Sequence, residues 1–192
     1  MEKTAKIIRY ITAAPIIACI TMIILFIARP DIFGGALGFI LSLVFLTVLP
    51  LLAYPLQRYI PSYKDKGRDG QRSLAMVFAV GGYVLGCISC ALISASAGLW
   101  MIYLEYLFSG IFIFVFNKLF HLKASGHACG VAGPIAFLVY MRLPAVIPGV
   151  IVLALTCWAS IKTKRHTIWQ FLGGCVIPVA ILLVLWACFG TV

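Results

Sequence analysis

The chain predicts an all-α integral membrane protein, a bundle of about seven transmembrane helices. Three observations carry that expectation. Of its 192 residues 64% are hydrophobic and only 10% are charged, where soluble domains sit near half and a quarter. The apolar residues fall in continuous runs, most of them near the roughly 20 residues a bilayer requires. The runs do not alternate, which excludes a membrane β-barrel, and backbone in lipid must then be helical.

Seven segments follow in order. The first, Ile7 to Ala28, ends at Arg29-Pro30-Asp31 and is too long for a cleaved signal peptide. The second, Phe33 to Tyr54, carries Gly34 and Gly38 at a spacing that lets helices approach. A polar stretch from Pro55 to Ser73 reads as a surface loop, its charges solvated. The third, Leu74 to Ser94, repeats the spacing at Gly82 and Gly86, and Ser94 to Gly98 makes a tight turn. The fourth runs from Leu99 to Phe116 and contains Glu105, a structural hydrogen-bonding group in this reading. The fifth, Gly126 to Met141, is broken by Arg142-Leu143-Pro144; the sixth is Ala145 to Ile161 and the seventh Thr167 to Phe189. The whole is one membrane domain, with N-terminal helices and a loop over 1–98 and a functional core over 99–192.

Charge sets the orientation. With the N-terminus in the cytoplasm, only Arg29 and Arg142 of the fifteen Lys and Arg lie outside. The formal net charge of +10 is therefore topogenic and gives no reason to expect nucleic acid. The expected location is a bacterial or archaeal cytoplasmic membrane, C-terminus outside. The seven cysteines lie in apolar runs at irregular spacing, and Cys87-Ile-Ser-Cys90 falls mid-helix, so they read as packing groups.

Two polar interruptions then share the cytoplasmic face: Asn117 to His127 (NKLFHLKASGH) and Ser160 to Gln170 (SIKTKRHTIWQ). Each opens a helix, at Ser125-Gly126-His127 and at Arg165-His166-Thr167. Helix N-termini offer unpaired N–H groups and partial positive charge to an anion, and Gly126 permits close approach. Lys118, Lys123, Lys162, Lys164 and Arg165 surround them, while no acidic cluster suggests magnesium or calcium. The expected ligand is a phosphate. Two histidines beside it suggest one nucleophile and one proton donor. His121 is expected at the interface.

Ser125-Gly126-His127 followed by Arg165-His166-Thr167-Ile168-Trp169-Gln170 and Gly173-Gly174 resembles the type 2 phosphatidic acid phosphatase (PAP2) superfamily, membrane relatives of the vanadium haloperoxidases. The resemblance covers the chain from Asn117 onward and implies a PAP2-like core. It implies that His166 is the nucleophile, forming a phosphohistidine, and His127 the general acid. Lys118, Lys123, Ser125, Gly126 and Arg165 would bind phosphate and Gln170 would orient His166. It implies a metal-independent phosphatase without cofactor, acting on a prenyl- or phosphatidate-type lipid phosphate or diphosphate among membrane lipids. The chain departs from the family pattern in several places, and the family's first motif, a Lys followed by Arg-Pro, is not present upstream of Ser125 at its usual place. Ala124 precedes Ser125 where the family has Pro, Ser160 stands where its third motif has Arg, and Gln170 replaces a carboxylate. The alternative expectation is a non-catalytic relative that binds or transports lipid phosphate.

Overall fold

In the computed structural model, which describes residues 1–120 and 122–190, every regular element is a helix. We label them α1 (Glu2–Ile11), α2 (Ala14–Ala28), α3 (Ala36–Tyr59), α4 (Gly67–Leu92), α5 (Ala97–Lys118), α6 (Gly126–Tyr140), α7 (Val146–Lys162) and α8 (Ile168–Phe189). Pro30–Phe33 forms a 3-10 turn and Pro61–Lys64 a single helical turn. His121, expected at the interface, lies outside the described residues.

All seven apolar segments are helical, but not all are long. Four helices, α3, α4, α5 and α8, have the length and apolarity to cross a bilayer, and α1 with α2 makes a fifth if that bent pair is one span. The 15-residue α6 and the 17-residue α7 fall short of it. Burial explains how α6 manages. Its residues from Ala128 to Leu138 are buried on nearly every face, against α2, α5, α7 and α8. A helix apolar all round and enclosed by protein needs no lipid on its flanks.

The first segment is not the single helix its apolar run suggests. It breaks after Ile11 and turns by 50°. Pro15, in the first turn of α2, has no N–H to give the Ile11 carbonyl, and its fixed φ suits a helix start. α1 is thereby freed to lie across the end of α7. It is amphipathic: Ala5 and Thr12 are buried while Lys3, Lys6, Ile7 and Tyr10 are exposed. The Glu2–Lys6 pair on it, 3.2 Å long and exposed, contributes little.

α3 loosens to a π turn at Val44–Val48, just ahead of Pro50, whose ring crowds the carbonyl four residues back. α4 begins at Gly67, seven residues before its apolar run. Arg68 and Arg72, expected in a solvated loop, thus ride on a helix at i, i+4 and share a face. Helix contact relies on small residues, as it must where lipid tails are as apolar as leucine. At Gly86 on α4 the fully buried Tyr103 ring of α5 occupies the place a Cβ would take.

The two ends of the bundle differ in chemistry. One carries the Arg29–Asp31 pair at 2.8 Å, the Tyr140 hydroxyl donating to Gly190 carbonyl at 2.7 Å, and Ser96 donating to the Ile32 carbonyl. The other gathers the C-terminal ends of α1 and α7 and the starts of α4, α6 and α8 around Arg9, Arg68, Arg72, Arg165 and both histidines.

Gly86→Val forces a side chain onto the Tyr103 ring, and overpacking of this kind costs about 1–3 kcal/mol. The thermal midpoint of the purified protein in detergent is expected to fall clearly, while Gly81→Val, at a position with open space beside it, leaves it unchanged.

Candidate functional site

The site begins with the two helix starts. Ser125 caps α6, its Oγ accepting the Ala128 N–H at 3.2 Å, and is fully buried. Thr167 caps α8 in a reciprocal box: Thr167 Oγ1 accepts the Gln170 N–H at 3.3 Å, and Gln170 Oε1 accepts the Thr167 N–H at 3.2 Å. One main-chain hydrogen bond joins the two starts, Ser125 N–H to the Gln170 carbonyl at 2.9 Å. Gly174, one turn beyond Gln170, permits it, since a Cβ there would strike the Ser125 carbonyl. The two polar stretches therefore meet, with His127 two residues after the Ser125 cap and His166 one residue before the Thr167 cap.

Hydrogen bonding fixes which nitrogen of each imidazole carries the proton. Gln170 Oε1 already accepts from a backbone N–H, so it is the oxygen that faces His166 Nδ1 at 3.3 Å. Nδ1 must then be the donor, which leaves Nε2 of neutral His166 with a free lone pair. The opposite holds at His127. Thr12 Oγ1 donates its single proton to the Ile8 carbonyl at 2.8 Å, so towards His127 Nε2, 3.1 Å away, it accepts. His127 Nε2 bears a proton. One ring presents a lone pair and the other an N–H.

Sequence reasoning missed Arg9 and Thr12. Arg9 Nη1 donates to Ser160 Oγ at 3.0 Å. Ser160 is the position where the PAP2 pattern carries its arginine, and here a guanidinium from α1, 151 residues away in the chain, arrives at that spot. Fully buried Ser160 leaves the room. A signal was present: Ala5, Ile8, Arg9 and Thr12 recur at helical spacing and form one face.

Around Arg9 stand Arg165, Arg68 and Arg72. Burial, with the charges of Arg9, Arg72 and Arg165, holds His166 below the usual imidazole pKa against the opposing hydrogen bond to Gln170. The charges acting on His127 are Arg9 and His166. No carboxylate answers them. Among the described residues the ion pairs are Glu2–Lys6 and Arg29–Asp31, both elsewhere. Four guanidinium groups and two histidines without a counter-ion make a site complementary to an anion.

The remaining sequence candidates divide. Gly126 and Ser125 stand at the junction and Arg165 faces it. Lys118 ends α5 and Lys123 sits in the following loop at a φ of 50°; both are exposed, and neither is among the charges acting on either histidine. Asn117 ties that loop down instead, donating to the Ala124 carbonyl at 3.0 Å. Among the described residues no three His, Cys, Asp or Glu side chains gather as metal ligands. All seven cysteines are free thiols.

Comparison of the chain with protein-family models, curated proteins and solved structures finds no significant match.

An anion between the histidines offsets the repulsion there and favours a second proton on His127, so its binding takes up a proton. Affinity for sulfate, a dianion throughout, is expected to tighten as pH falls from about 8 to about 6 around the imidazole range. In His127→Ala that slope is expected to flatten. Without anion the linkage reverses. His166 with its depressed pKa adds stability above the unfolded value of about 6.5 that is lost as pH falls. Calorimetric titration with sulfate and thermal melts across that range check both signs.

Proposed function

We propose that this protein is a membrane phosphatase that releases phosphate from a lipid phosphate or diphosphate through a phosphohistidine on His166. The observation that supports it best is the opposed protonation of the two rings beside an uncompensated arginine cluster. A lone pair at His166 Nε2 suits attack on phosphorus, and the N–H at His127 Nε2 points where the departing oxygen would stand, so that ring, once protonated at both nitrogens beside the anionic substrate, is placed to act as the acid.

The chemistry balances in two steps. His166 Nε2 attacks phosphorus, the bond from phosphorus to the lipid oxygen breaks, and that oxygen takes the Nε2 proton of His127, which enters the step as an imidazolium and leaves it neutral. Water then attacks phosphorus while His127 takes one of its protons, and the phosphorus–nitrogen bond breaks, releasing phosphate and returning the lone pair to His166 Nε2. Arg9, with Arg165 beside it, stabilises charge on the phosphoryl oxygens, and the α6 start with Gly126 offers N–H groups to them. For a substrate to reach the His127 N–H, its leaving oxygen takes the place of Thr12 Oγ1. A lipid substrate suits a polar cluster at one end of an apolar bundle, with headgroup at the histidines and tail among the helices. In this reading about seven helices cross, and the site faces the cytoplasm.

A second reading, a lipid-phosphate binding or transport protein on the same pocket, has one observation in its favour. Gln170 orients His166 but supplies no negative charge to stabilise an imidazolium.

Phosphate release from a prenyl or diacylglycerol phosphate in mixed micelles separates the two. His166→Ala and His127→Ala are each expected to lower turnover by about 10²–10⁴-fold. Arg9→Ala is expected to lower it by about 10²-fold, with Arg9→Lys restoring part. Wild-type protein that binds lipid phosphate yet releases none supports the binding reading.

A further inference from the structure

A second constellation lies within the bundle, away from the arginines. Between α4, α5 and α6 is a cavity of about 120 Å³ whose walls, such as Met76, Val80 and Pro134, are apolar. Glu105, Tyr106, Ser109 and Tyr83 supply its polar and aromatic lining. Glu105 is 3% exposed. Its Oε1 accepts a long 3.4 Å hydrogen bond from Ser109 and rests against Gly133, where a Cβ would collide. Among the described residues no lysine, arginine or histidine pairs with it. The Tyr106 hydroxyl is buried and has no hydrogen-bond partner. The Tyr83 and Tyr106 rings stand 5.4 Å apart at 49°.

A carboxylate within an apolar helix is costly unless something relieves it, and so is an unpaired buried hydroxyl. A proton relieves only the first and leaves the cavity unexplained. A cation from outside answers both the carboxylate and the space. Calcium and magnesium take about six or more oxygen ligands, whereas the polar side chains here carry fewer, and Ser109 Oγ is already engaged with Glu105. Tyrosine faces beside a carboxylate instead favour an organic ammonium, whose charge is spread over an apolar shell. The volume suits it, being somewhat below the roughly 150 Å³ of an apolar cavity that admits benzene.

We propose that this cavity binds a small organic ammonium of about choline size, with Glu105 as counter-ion and the Tyr83 and Tyr106 rings around the cationic head. The cavity reaches Gly126 at the start of α6 but shares no ionisable group with the phosphate chemistry, so either can fail without the other.

The test is equilibrium binding of labelled choline to the purified full-length protein in detergent, beside its neutral isostere 3,3-dimethyl-1-butanol as competitor. Choline is expected to bind saturably, and the isostere to compete at least about tenfold more weakly. Glu105→Gln, which preserves shape, is expected to weaken choline binding by about tenfold or more. Tyr83→Leu is expected to weaken it while leaving the carboxylate in place, a control should the first variant fold poorly. Absence of saturable binding, equal competition by the isostere, or unchanged affinity in Glu105→Gln overturns the proposal. Competition by lysophosphatidylcholine assigns the ammonium to a lipid headgroup; its failure to compete, with choline bound, assigns it to a free amine.

Discussion

The hydrogen bond from Ser125 N–H to the Gln170 carbonyl is the constraint on which the functional end depends. It registers the start of α6 against the first turn of α8, and everything chemical at that end is placed from there. Ser125 caps one helix and Gln170 closes the capping box of the other, so each partner is already held in its own helix before the two meet. The missing side chain at Gly174 sets the separation. A pair of histidines from segments some 40 positions apart thereby becomes one site, without a loop that has to fold over it.

Repulsion is the second organising fact. Burying cations together is unfavourable unless an anion or solvent relieves them. Here α1 brings the half-buried Arg9 towards Arg165, Arg68 and Arg72, which are exposed to solvent, and no acidic side chain pairs with it. This arrangement keeps His166 neutral, which is the form a nucleophile requires. A bound anion favours a second proton on His127 instead, so ligand affinity and proton uptake are coupled through the neighbouring ring.

Much of the fold was legible in the residues. Long apolar runs and their breaks at Arg29-Pro30-Asp31 and Arg142-Leu143-Pro144 marked the helices to within a few positions. Ser125, His127, His166 and Gln170 were legible because their relations are local: a cap, a helix start and an i, i+4 pair. Arg9 was not, because its contact with Ser160 depends on how α1 packs across α7, and one-dimensional spacing holds no trace of a contact 151 residues away. The break at Pro15 was legible in principle, but the apolar run passes through it and hid the change of direction. Arg68 and Arg72 looked like solvated loop charges because helix α4 starts well before its apolar residues do. Lys118 and Lys123, expected beside the phosphate from their closeness in sequence to His127, are exposed at the end of α5 and in the loop that follows it.

The central claim is that Arg9, His127 and His166 converge on one phosphoryl group. An experimental structure with orthovanadate tests it most directly. The expected result is vanadium within bonding distance of His166 Nε2, its oxygens held by the Arg9 guanidinium and the His127 N–H, and Thr12 displaced from that ring. Vanadate bound elsewhere, or His166 and Arg9 on separate anions, would contradict the account.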